Sequence, residues 1–585
     1  MTIEAARSLQ DNDAMHGLPR RRTKPCATAL DRISLGVALV LALLAVYPLG
    51  LLVTELFWVD GHFSFDAIVN TATMPGLVVI VVDTVIMVIA CSLLALAIAA
   101  AFAWLNERTD ARFGFLTDTL PLLPFMVPPV AGAIGWVLLL SPRAGYVNGI
   151  VRALAEPFGI SLREGPFDIF SWGGLIFVMA LYQVPYAFLM IVSGLRSLDP
   201  SLEEQSRISG AGLFETLRRV TLRALGPSIA GAVLLMAWQG FALFSVPAII
   251  GSPAGIEVLA VRIVRLLTFS YPPQVDVALG LSMIVAALVS VTWIVQRKVI
   301  DAGRNSAFGG KAHNIRIIRL GAWKWPMRGL MLLYIFAAAI MPLCALIIVS
   351  LNGFWSLSIK WGRLSLDAFR TNVFEHPITA LSLWNSIVIG AVTATVGILA
   401  AALISQYLLR HRSGLARGVD GALKLPAVVS HVVIGVAFVI AFAGPPFHLG
   451  GTALILGMVY LVLYLPQALA ATDAAVGQVG VELSEASRLA GASDMQTFRR
   501  INLPLILGSL VAGWSLMFTR VAGDLTASAL LSGTGNPVVG FRILEIYTNG
   551  SFAALAALTL VLVAITFAII AVLFAWQRHL MAWSR

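Results

Sequence analysis

Apolar stretches long enough to cross a lipid bilayer recur along the whole chain, and they constrain its fold more than any other feature. They run near 33–56, 76–104, 118–141, 170–195, 224–250 and 277–296, and again near 329–351, 383–409, 425–444, 450–472, 505–531 and 553–577. A helix needs about 20 apolar residues to span the hydrocarbon core. Lipid gives backbone groups no hydrogen-bond partner, so a spanning segment must be a helix or part of a closed barrel. These stretches lack the alternation of barrel strands, and they predict an all-α membrane protein with about twelve transmembrane helices.

Composition excludes a soluble globular fold. Hydrophobic residues make up 59% of the 585 residues and charged residues 12%, whereas soluble domains are about 45–50% apolar and about 25% charged. Cys26, Cys91 and Cys344 lie far apart and predict neither a disulfide framework nor a metal site. The eight histidines form no H-E-x-x-H pattern, and no paired acids or activated nucleophile indicate a membrane-embedded enzyme. We therefore predict no catalytic residues and no metal ligands.

The distribution of Lys and Arg predicts the orientation. Positive charge concentrates in the tail before Arg32, in 297–328, in 410–424 and at the C-terminus. Cytoplasmic loops carry such an excess, so twelve spans place both termini in the cytoplasm. The formal net charge of +10 is then explained by these cytoplasmic loops. We therefore predict a lipid bilayer, and no nucleic acid, as the partner.

The polar, basic segment 298–328 divides the chain into two parts. The predicted order is a cytoplasmic tail over 1–30, expected to be disordered, a first half over 31–297, the linker 298–328, and a second half over 329–585. Each half has six spans, and because six is an even number, both halves have the same orientation in the membrane.

An internal repeat lies between the fourth and fifth predicted spans of each half. The first copy, from Glu204, reads EQSRISGAGLFETLRRVTL, and the second, from Glu485, reads EASRLAGASDMQTFRRINL. The offset is 485 − 204 = 281, and it aligns the copies without a gap. Each copy predicts a short amphipathic helix that ends at a glycine, Gly210 or Gly491. One copy alone is typical of any basic amphipathic loop, but repetition of polar residues at matched positions favours a shared function.

These two repeat loops (204–223 and 485–504) resemble the EAA loop of ATP-binding-cassette (ABC) importer permeases, with the pattern E-A-A-x-x-x-G followed by I-x-L-P. The second copy matches at Glu485, Ala486, Gly491 and I-N-L-P (501–504), while Ser487 replaces an alanine. The first copy matches more loosely, because Arg223 stands in place of the proline.

The resemblance implies a fold like that of type I ABC importers, with two homologous six-helix halves in parallel. It implies that both loops couple the permease to two copies of a nucleotide-binding ATPase, and that an extracytoplasmic solute-binding protein delivers the solute at a bacterial inner membrane. The coupling residues expected from the resemblance are Glu204, Arg207, Gly210, Glu485, Arg488 and Gly491.

The chain has no G-x-x-x-x-G-K-[ST] sequence, so it lacks the loop that cradles nucleotide phosphates in such ATPases. We therefore interpret it as a non-catalytic translocation subunit without a cofactor of its own, with ATP bound by the partner ATPase.

Polar side chains inside predicted spans are candidates for the transport path, because they are costly in lipid. The main candidates are Asp524, Gln239, Gln183 and Asn385, with His431 and Asp83 as further ones. Asp524 ranks first, because it lies in a stretch that resembles a Gly-Asp/Glu segment of these permeases. Each of these side chains could equally make a hydrogen bond between helices.

The substrate is the least constrained prediction. The segments 139–148, 184–207 and 244–251 resemble the ferric-iron branch of fused permeases, which favours ferric iron. A 2-aminoethylphosphonate, thiamine, polyamine or inorganic anion importer of the same class is the alternative. A major-facilitator secondary transporter also has twelve spans, and 107–114 loosely matches one of its loops, but that class does not account for the twin repeat loops.

Overall fold

The computed structural model describes residues 28–583 except for 60, 61, 115, 116, 118, 119, 304–316, 412 and 480. Most of the predicted tail 1–30 and the centre of the predicted linker 298–328 lie outside the described residues. The described chain is almost entirely helical, as the apolar stretches predict.

The first half begins with a long helix and a short hairpin whose two strands have two residues each. The hairpin pairs β1 (Trp58–Val59) with β2 (His62–Phe63) in antiparallel register. The helices are α1 (Ala29–Phe57), α2 (Asp66–Ala72), α3 (Leu77–Arg108), α4 (Pro129–Leu140), α5 (Tyr146–Ala155), α6 (Trp172–Ser197), α7 (Pro200–Ile208), α8 (Leu213–Thr216), α9 (Leu222–Ala224), α10 (Gly226–Ala242), α11 (Leu259–Thr268) and α12 (Val275–Gly303).

The second half has a similar order of helices, without a hairpin or a counterpart of α5 among its described residues. Its helices are α13 (Lys324–Ile335), α14 (Met341–Asn352), α15 (Asp367–Phe369), α16 (Pro377–Arg410), α17 (Gly414–Lys424), α18 (His431–Phe438), α19 (Ala453–Gln478), α20 (Val481–Leu489), α21 (Asp494–Thr497), α22 (Leu503–Ala522), α23 (Thr526–Leu531), α24 (Val539–Thr548) and α25 (Phe552–Trp583).

Short turns of tighter or wider helix join these elements. The 3₁₀ turns are Leu120–Met126, Glu156–Phe158, Ser252–Ala254, Gly321–Trp323, Trp361–Arg363 and Leu425–Ala427. The π-helical turns are Leu217–Thr221, Pro247–Gly251, Phe336–Ile340, Arg370–Phe374, Val439–Ala443 and Phe498–Asn502.

Within the described residues, nine continuous helices are long and apolar enough to cross a membrane, and three bent pairs raise the number to twelve. The multi-pass, all-α prediction is confirmed, but several predicted spans are broken. The predicted span 118–141 is a 3₁₀ turn followed by the twelve-residue α4. The predicted span 425–444 belongs to a pair of helices that meet at 105°. Proline accounts for both breaks, because Pro124 and Pro426 lie in the 3₁₀ turns that precede α4 and α18.

Two further boundaries differ from the prediction. The spans predicted to continue to 250 and to 531 end earlier, where α10 stops at Ala242 and α22 stops at Ala522. The stretch 247–268, to which the hydropathy pattern assigns no separate span, forms a helix pair bent by 92°. Its equivalent in the second half contains α23 and α24.

The two halves interlock through their first long helices. In each half the central pair is the same, α3 against α6 and α16 against α19. However, α1 packs along α16, α17 and α18 of the second half, and α14 packs along α4 of the first. The approach of α14 to α4 is so close that a Cβ on Gly135 would lie 2.5 Å from the Cα of Pro342. Most packing partners of α1 therefore lie in the second half, whereas α14 is covered partly by α4 of the first half and partly by α25 of its own half.

The start of the second half is also fastened to the turn after α3. Ile318 forms a parallel bridge with Thr109, and Arg328 donates from Nε to the carbonyl of Ala111 at 3.0 Å. The backbone N–H of Leu320 donates to Asp110 at 3.0 Å, and this hydrogen bond, aided by Lys324, holds the pKa of Asp110 below its usual range. The segment 107–114 is thus a tether between the halves.

Candidate functional site

The two repeat loops have the same structure. Helices α7 and α20 each contain nine residues, and each is followed by a glycine in the left-handed region, with φ of +90° at Gly210 and +85° at Gly491. Each loop then closes on itself through a hydroxyl pair, Ser206 with Thr216 at 3.1 Å and Ser487 with Thr497 at 2.9 Å. The sequence repeat is therefore a repeat in three dimensions.

The predicted coupling residues of these loops face outward. Glu204, Arg207, Gly210, Glu485 and Gly491 are exposed. The side chain of Arg488 lies outside the described part of the chain. Exposed side chains on a short surface helix are free to contact another molecule, as the predicted role requires.

Apolar side chains project from the same loops, and the sequence analysis missed them. Ile208 is 87% exposed and Leu489 is 89% exposed, each near the end of its helix. Phe214 and Met495 are exposed as well. The 281-residue offset relates both pairs, which is the signal that could have found them. A matched pair of exposed large apolar side chains is typical of a docking surface.

A buried arginine fastens the first repeat loop to α3. Arg108, the last residue of α3, donates from Nε to Glu203 of α7 at 2.9 Å and from Nη2 to the carbonyl of Leu195 at 3.0 Å. The second carboxylate oxygen of Glu203 accepts from the Thr221 hydroxyl at 2.7 Å. The Arg108 side chain is only 2% exposed, so this ion pair is part of the core.

The second half has an equivalent arginine. Arg410 ends α16 as Arg108 ends α3, and its Nη1 lies 3.4 Å from Asp494 of the second repeat loop and 3.8 Å from Asp31 of α1. Each repeat loop is therefore held by the end of the helix that packs along the centre of its own half.

A cavity lined by both polar and apolar side chains lies between the halves, and residues at equivalent positions of both halves line it. The lining includes Ala242, Leu243 and Ser245 of the first half together with Gly523, Asp524 and Thr526 of the second. Gln239 and Arg520 form another such pair, because 520 − 239 = 281. Since matched positions face one space, the cavity lies on the axis that relates the halves. The first half contributes neutral side chains, whereas the second contributes Arg520, Asp524 and His431.

Asp524, the first-ranked path candidate, lines this cavity but is fully engaged. Its Oδ1 accepts from the Tyr464 hydroxyl at 3.0 Å, and its Oδ2 accepts from the backbone N–H groups of Ala527 at 2.8 Å and Ser528 at 3.3 Å. The carboxylate thereby caps α23, the helix after the break at Ala522. It stabilises the broken helix in addition to any contact with a solute.

Arg520 has no comparable partner. Its Nη2 donates to the Tyr186 hydroxyl at 2.7 Å, and its guanidinium lies 5.2 Å from the centroid of the Phe125 ring. No carboxylate of a described residue forms an ion pair with it. Cation–π contact contributes about 0.5–2 kcal/mol, whereas an arginine within a span costs about 2.5–3.5 kcal/mol. A charge retained at such a cost is a candidate for function, and the sequence analysis did not single it out.

The other path candidates lie in different surroundings. Gln239 reaches the cavity, where its amide donates to the Tyr186 hydroxyl at 3.0 Å. Gln183 instead accepts from Ser92 at 3.3 Å, and Asn385 donates to the carbonyl of Pro537 at 2.9 Å. Both hold helices together within one half, and neither they nor Asp83 line the cavity. The structure thus brings together Asp524, Gln239 and His431.

Comparison with known proteins agrees with this architecture. The family described as "Binding-protein-dependent transport system inner membrane component" matches residues 92–299 and 393–585. The ferric transport system permease protein FbpB of Actinobacillus pleuropneumoniae is 24% identical over 550 residues, covering 90% of this chain and 75% of that protein. The spermidine/putrescine permease PotC of Haemophilus influenzae is 23% identical over 237 residues, covering 40% of this chain and 91% of PotC. The 2-aminoethylphosphonate permease PhnV of Salmonella typhi is 24% identical over 216 residues, covering 36% of this chain and 80% of PhnV.

The family matches once in each half, which is the arrangement that the internal repeat and the paired repeat loops predict. The chain therefore belongs to the family of binding-protein-dependent transport system inner membrane components, as an ABC transporter permease with two halves fused in one polypeptide.

Proposed function

We propose that this permease imports ferric iron, which it receives from an extracytoplasmic binding protein and releases into the cytoplasm. The observation that supports ferric iron as the substrate is the similarity to a ferric transport permease along 90% of the chain, through both halves. The polyamine and phosphonate permeases are similar over less than half of it.

In the proposed orientation the repeat loops and both termini face the cytoplasm. The basic segments at 297–328 and 410–424 support this side. Two copies of an ATPase then dock on the repeat loops, one on each, with Ile208 and Leu489 as apolar anchors beside the exposed charges of Glu204 and Glu485. The chain itself performs no chemistry and binds no nucleotide.

The ion pairs of Arg108 and Arg410 support a route by which motion of the ATPase subunits reaches the membrane helices. When the two ATPase subunits close, they move α7 and α20 relative to the membrane. Arg108 links α7 to α3, and Arg410 links the second loop to α16. Because α3 and α16 pack along the centres of the two halves, such a displacement changes how the halves meet at the cavity.

Uptake of labelled ferric iron tests the substrate. We expect cells that lack the chain to lose uptake and cells with the chain restored to recover it. The same cells given labelled 2-aminoethylphosphonate test the alternative substrate, because a permease of a 2-aminoethylphosphonate transport system is also similar to this chain. Phosphonate uptake that depends on the chain, together with iron uptake that does not, would replace the substrate and leave the permease class intact.

The paired variant Glu204→Ala, Glu485→Ala tests the coupling loops in the same assay. Both side chains are exposed, so the variant should insert normally while uptake falls about tenfold or more, equivalent to about 1.4 kcal/mol at the ATPase contact. The conservative pair Glu204→Gln, Glu485→Gln separates charge from side-chain contact. Normal uptake by the alanine pair at normal membrane level would remove the coupling role from these two residues.

A further inference from the structure

Two hydrogen-bond donors that line the cavity between the halves, Arg520 and Gln239, meet at the Tyr186 hydroxyl, which is not itself a lining group. The Tyr186 hydroxyl oxygen accepts from both Arg520, at 2.7 Å, and Gln239, at 3.0 Å. Since that oxygen already accepts two hydrogen bonds, its own proton is left to donate. Among the described residues, no acceptor takes this proton. The guanidinium of Arg520 and the amide of Gln239 therefore lie side by side in the cavity wall, and such adjacent donors suit an anionic oxygen.

The carboxylate of the same cavity does not neutralise this cluster. Both oxygens of Asp524 accept from Tyr464 and from the start of α23. Arg520 instead rests on aromatic faces, with its guanidinium 5.2 Å from the Phe125 ring centroid and 5.8 Å from that of Tyr186. The aromatic rings hold the cation in place and leave its remaining N–H donors for a ligand.

The position of the cluster is better suited to binding and releasing a ligand than to holding the two halves together permanently. Tyr186 lies near the middle of the 26-residue α6, so the cluster is remote from both membrane surfaces. Arg520 belongs to one half, whereas Tyr186 and Gln239 belong to the other. When the halves move relative to each other, the donors must separate or reassemble, which is what a site that binds and then releases a ligand requires.

We propose that this cavity is an oxyanion site, in which Arg520 and Gln239, held side by side by the Tyr186 hydroxyl, bind a phosphonate, phosphate or carboxylate group of the transported species. The inference rests on the proposed function in one respect, because it takes the cavity to lie on the transport path. The oxyanion has two possible sources. It is either an anion that accompanies ferric iron as an oxygen ligand, or the acidic group of an organic solute such as a phosphonate.

The test is a binding experiment on the full-length chain in lipid nanodiscs, without ATPase or binding protein. Calorimetric titrations use ferric citrate, citrate alone, 2-aminoethylphosphonate, inorganic phosphate and spermidine as probes. We expect at least one oxyanion to bind and spermidine, a cation, not to bind. Ferric citrate and 2-aminoethylphosphonate distinguish the two sources, and citrate alone shows whether the metal is needed.

The decisive variant is Arg520→Gln, which gives the second half the residue that Gln239 supplies in the first. Loss of a charged hydrogen-bond donor should weaken binding of the oxyanion about tenfold or more. Arg520→Lys keeps the positive charge and should retain part of the affinity. It also provides a second comparison where Arg520→Gln inserts poorly. Arg265→Gln is the control, since it removes a positive charge that pairs with Glu257 outside the cavity.

Three results of the binding experiment would overturn the proposal. These are binding of no oxyanion probe, equal affinity of the wild-type chain and Arg520→Gln, or a preference for spermidine that Asp524→Asn abolishes. The assay requires no transport, so an Arg520-dependent oxyanion site would stand even where the chain fails to import iron. Conversely, intact iron uptake by Arg520→Gln would contradict the site and leave the proposed function unchanged.

Discussion

Arg108 is the single side chain on which the geometry of the first repeat loop depends most. Arg108→Ala leaves Glu203 as a nearly buried carboxylate without its cation, and breaking such a pair costs about 3–5 kcal/mol. We expect the thermal midpoint of the purified chain to fall and uptake to fall with it. Scanning fluorimetry in detergent measures the first effect, and the uptake assay measures the second.

Two matched variants serve as controls for the Arg108→Ala result. Arg219→Ala removes an exposed i,i+4 pair with Glu215 in the same loop and should cost about 0.3–0.5 kcal/mol. The double variant Arg108→Ala, Glu203→Gln removes the unpaired charge and should recover part of the thermal midpoint. A midpoint for Arg108→Ala equal to that of Arg219→Ala would show that the Arg108 pair does not anchor the loop.

At this scale the sequence predicts residue types better than it predicts partners. The repeat predicts the exposed Glu204, but not that the adjacent Glu203 turns inward to Arg108. Asp524 and Arg520 lie in the same stretch, yet the resemblance to a Gly-Asp/Glu segment directs attention to the acid and away from the arginine as a path residue. The difference appears only when Tyr464 and the start of α23 are seen to satisfy Asp524.

At the scale of the helices, the conformation of the second repeat loop depends on the turn that ends α20. Gly491 has φ of +85°, which proline cannot adopt because its ring fixes φ near −65°. We expect Gly491→Pro to abolish uptake while the chain still inserts. A Cβ at Gly491 would meet no atom within 4 Å, so the cost of other substitutions is conformational rather than steric.

Asparagine and alanine at this position separate conformation from side-chain volume. Gly491→Asn should keep most of the uptake, because asparagine tolerates the left-handed region, whereas Gly491→Ala should lose about 1–2 kcal/mol of loop stability. The measurement is uptake at matched membrane levels, determined by immunoblot. Normal transport by Gly491→Pro would contradict the coupling assignment of this loop.

Hydropathy predicts the long helices well and the broken ones poorly. Continuous apolar runs such as those of α3 and α16 have one solution in lipid, a straight spanning helix. Where the helix breaks, the run continues, because the residues after the break are buried against other helices instead of lipid. Four of the six residues of α23 are apolar for this reason, although Asp524 caps a new helix there. Only the capping contact, not the hydropathy, distinguishes the two cases.

On the scale of the whole molecule, the linker at 298–328 divides the sequence but not the packing. Side chains of each half donate to backbone carbonyls of the other: Tyr547 donates to the carbonyl of Ile249 at 2.7 Å, and Thr268 donates to that of Ala529 at 3.2 Å. The internal repeat predicts two equivalent halves, but it gives no sign that α1 and α14 cross to the opposite half. That exchange arises from the fit of particular surfaces, which no periodicity in the sequence encodes.

The exchange predicts that the two halves assemble when they are made separately. Fragments 1–310 and 311–585 should co-purify through a tag on one of them and should restore uptake, because α1 has its packing partners on the second fragment and α14 on the first. Each fragment expressed alone should be degraded faster than the assembled pair, because α1 lacks most of its packing surface and α14 lacks the part that α4 supplies. Gly135→Leu in the first fragment is the control, because its side chain would occupy the space of Pro342 and should reduce co-purification. Two stable fragments that insert independently and never associate would contradict the interlocked packing.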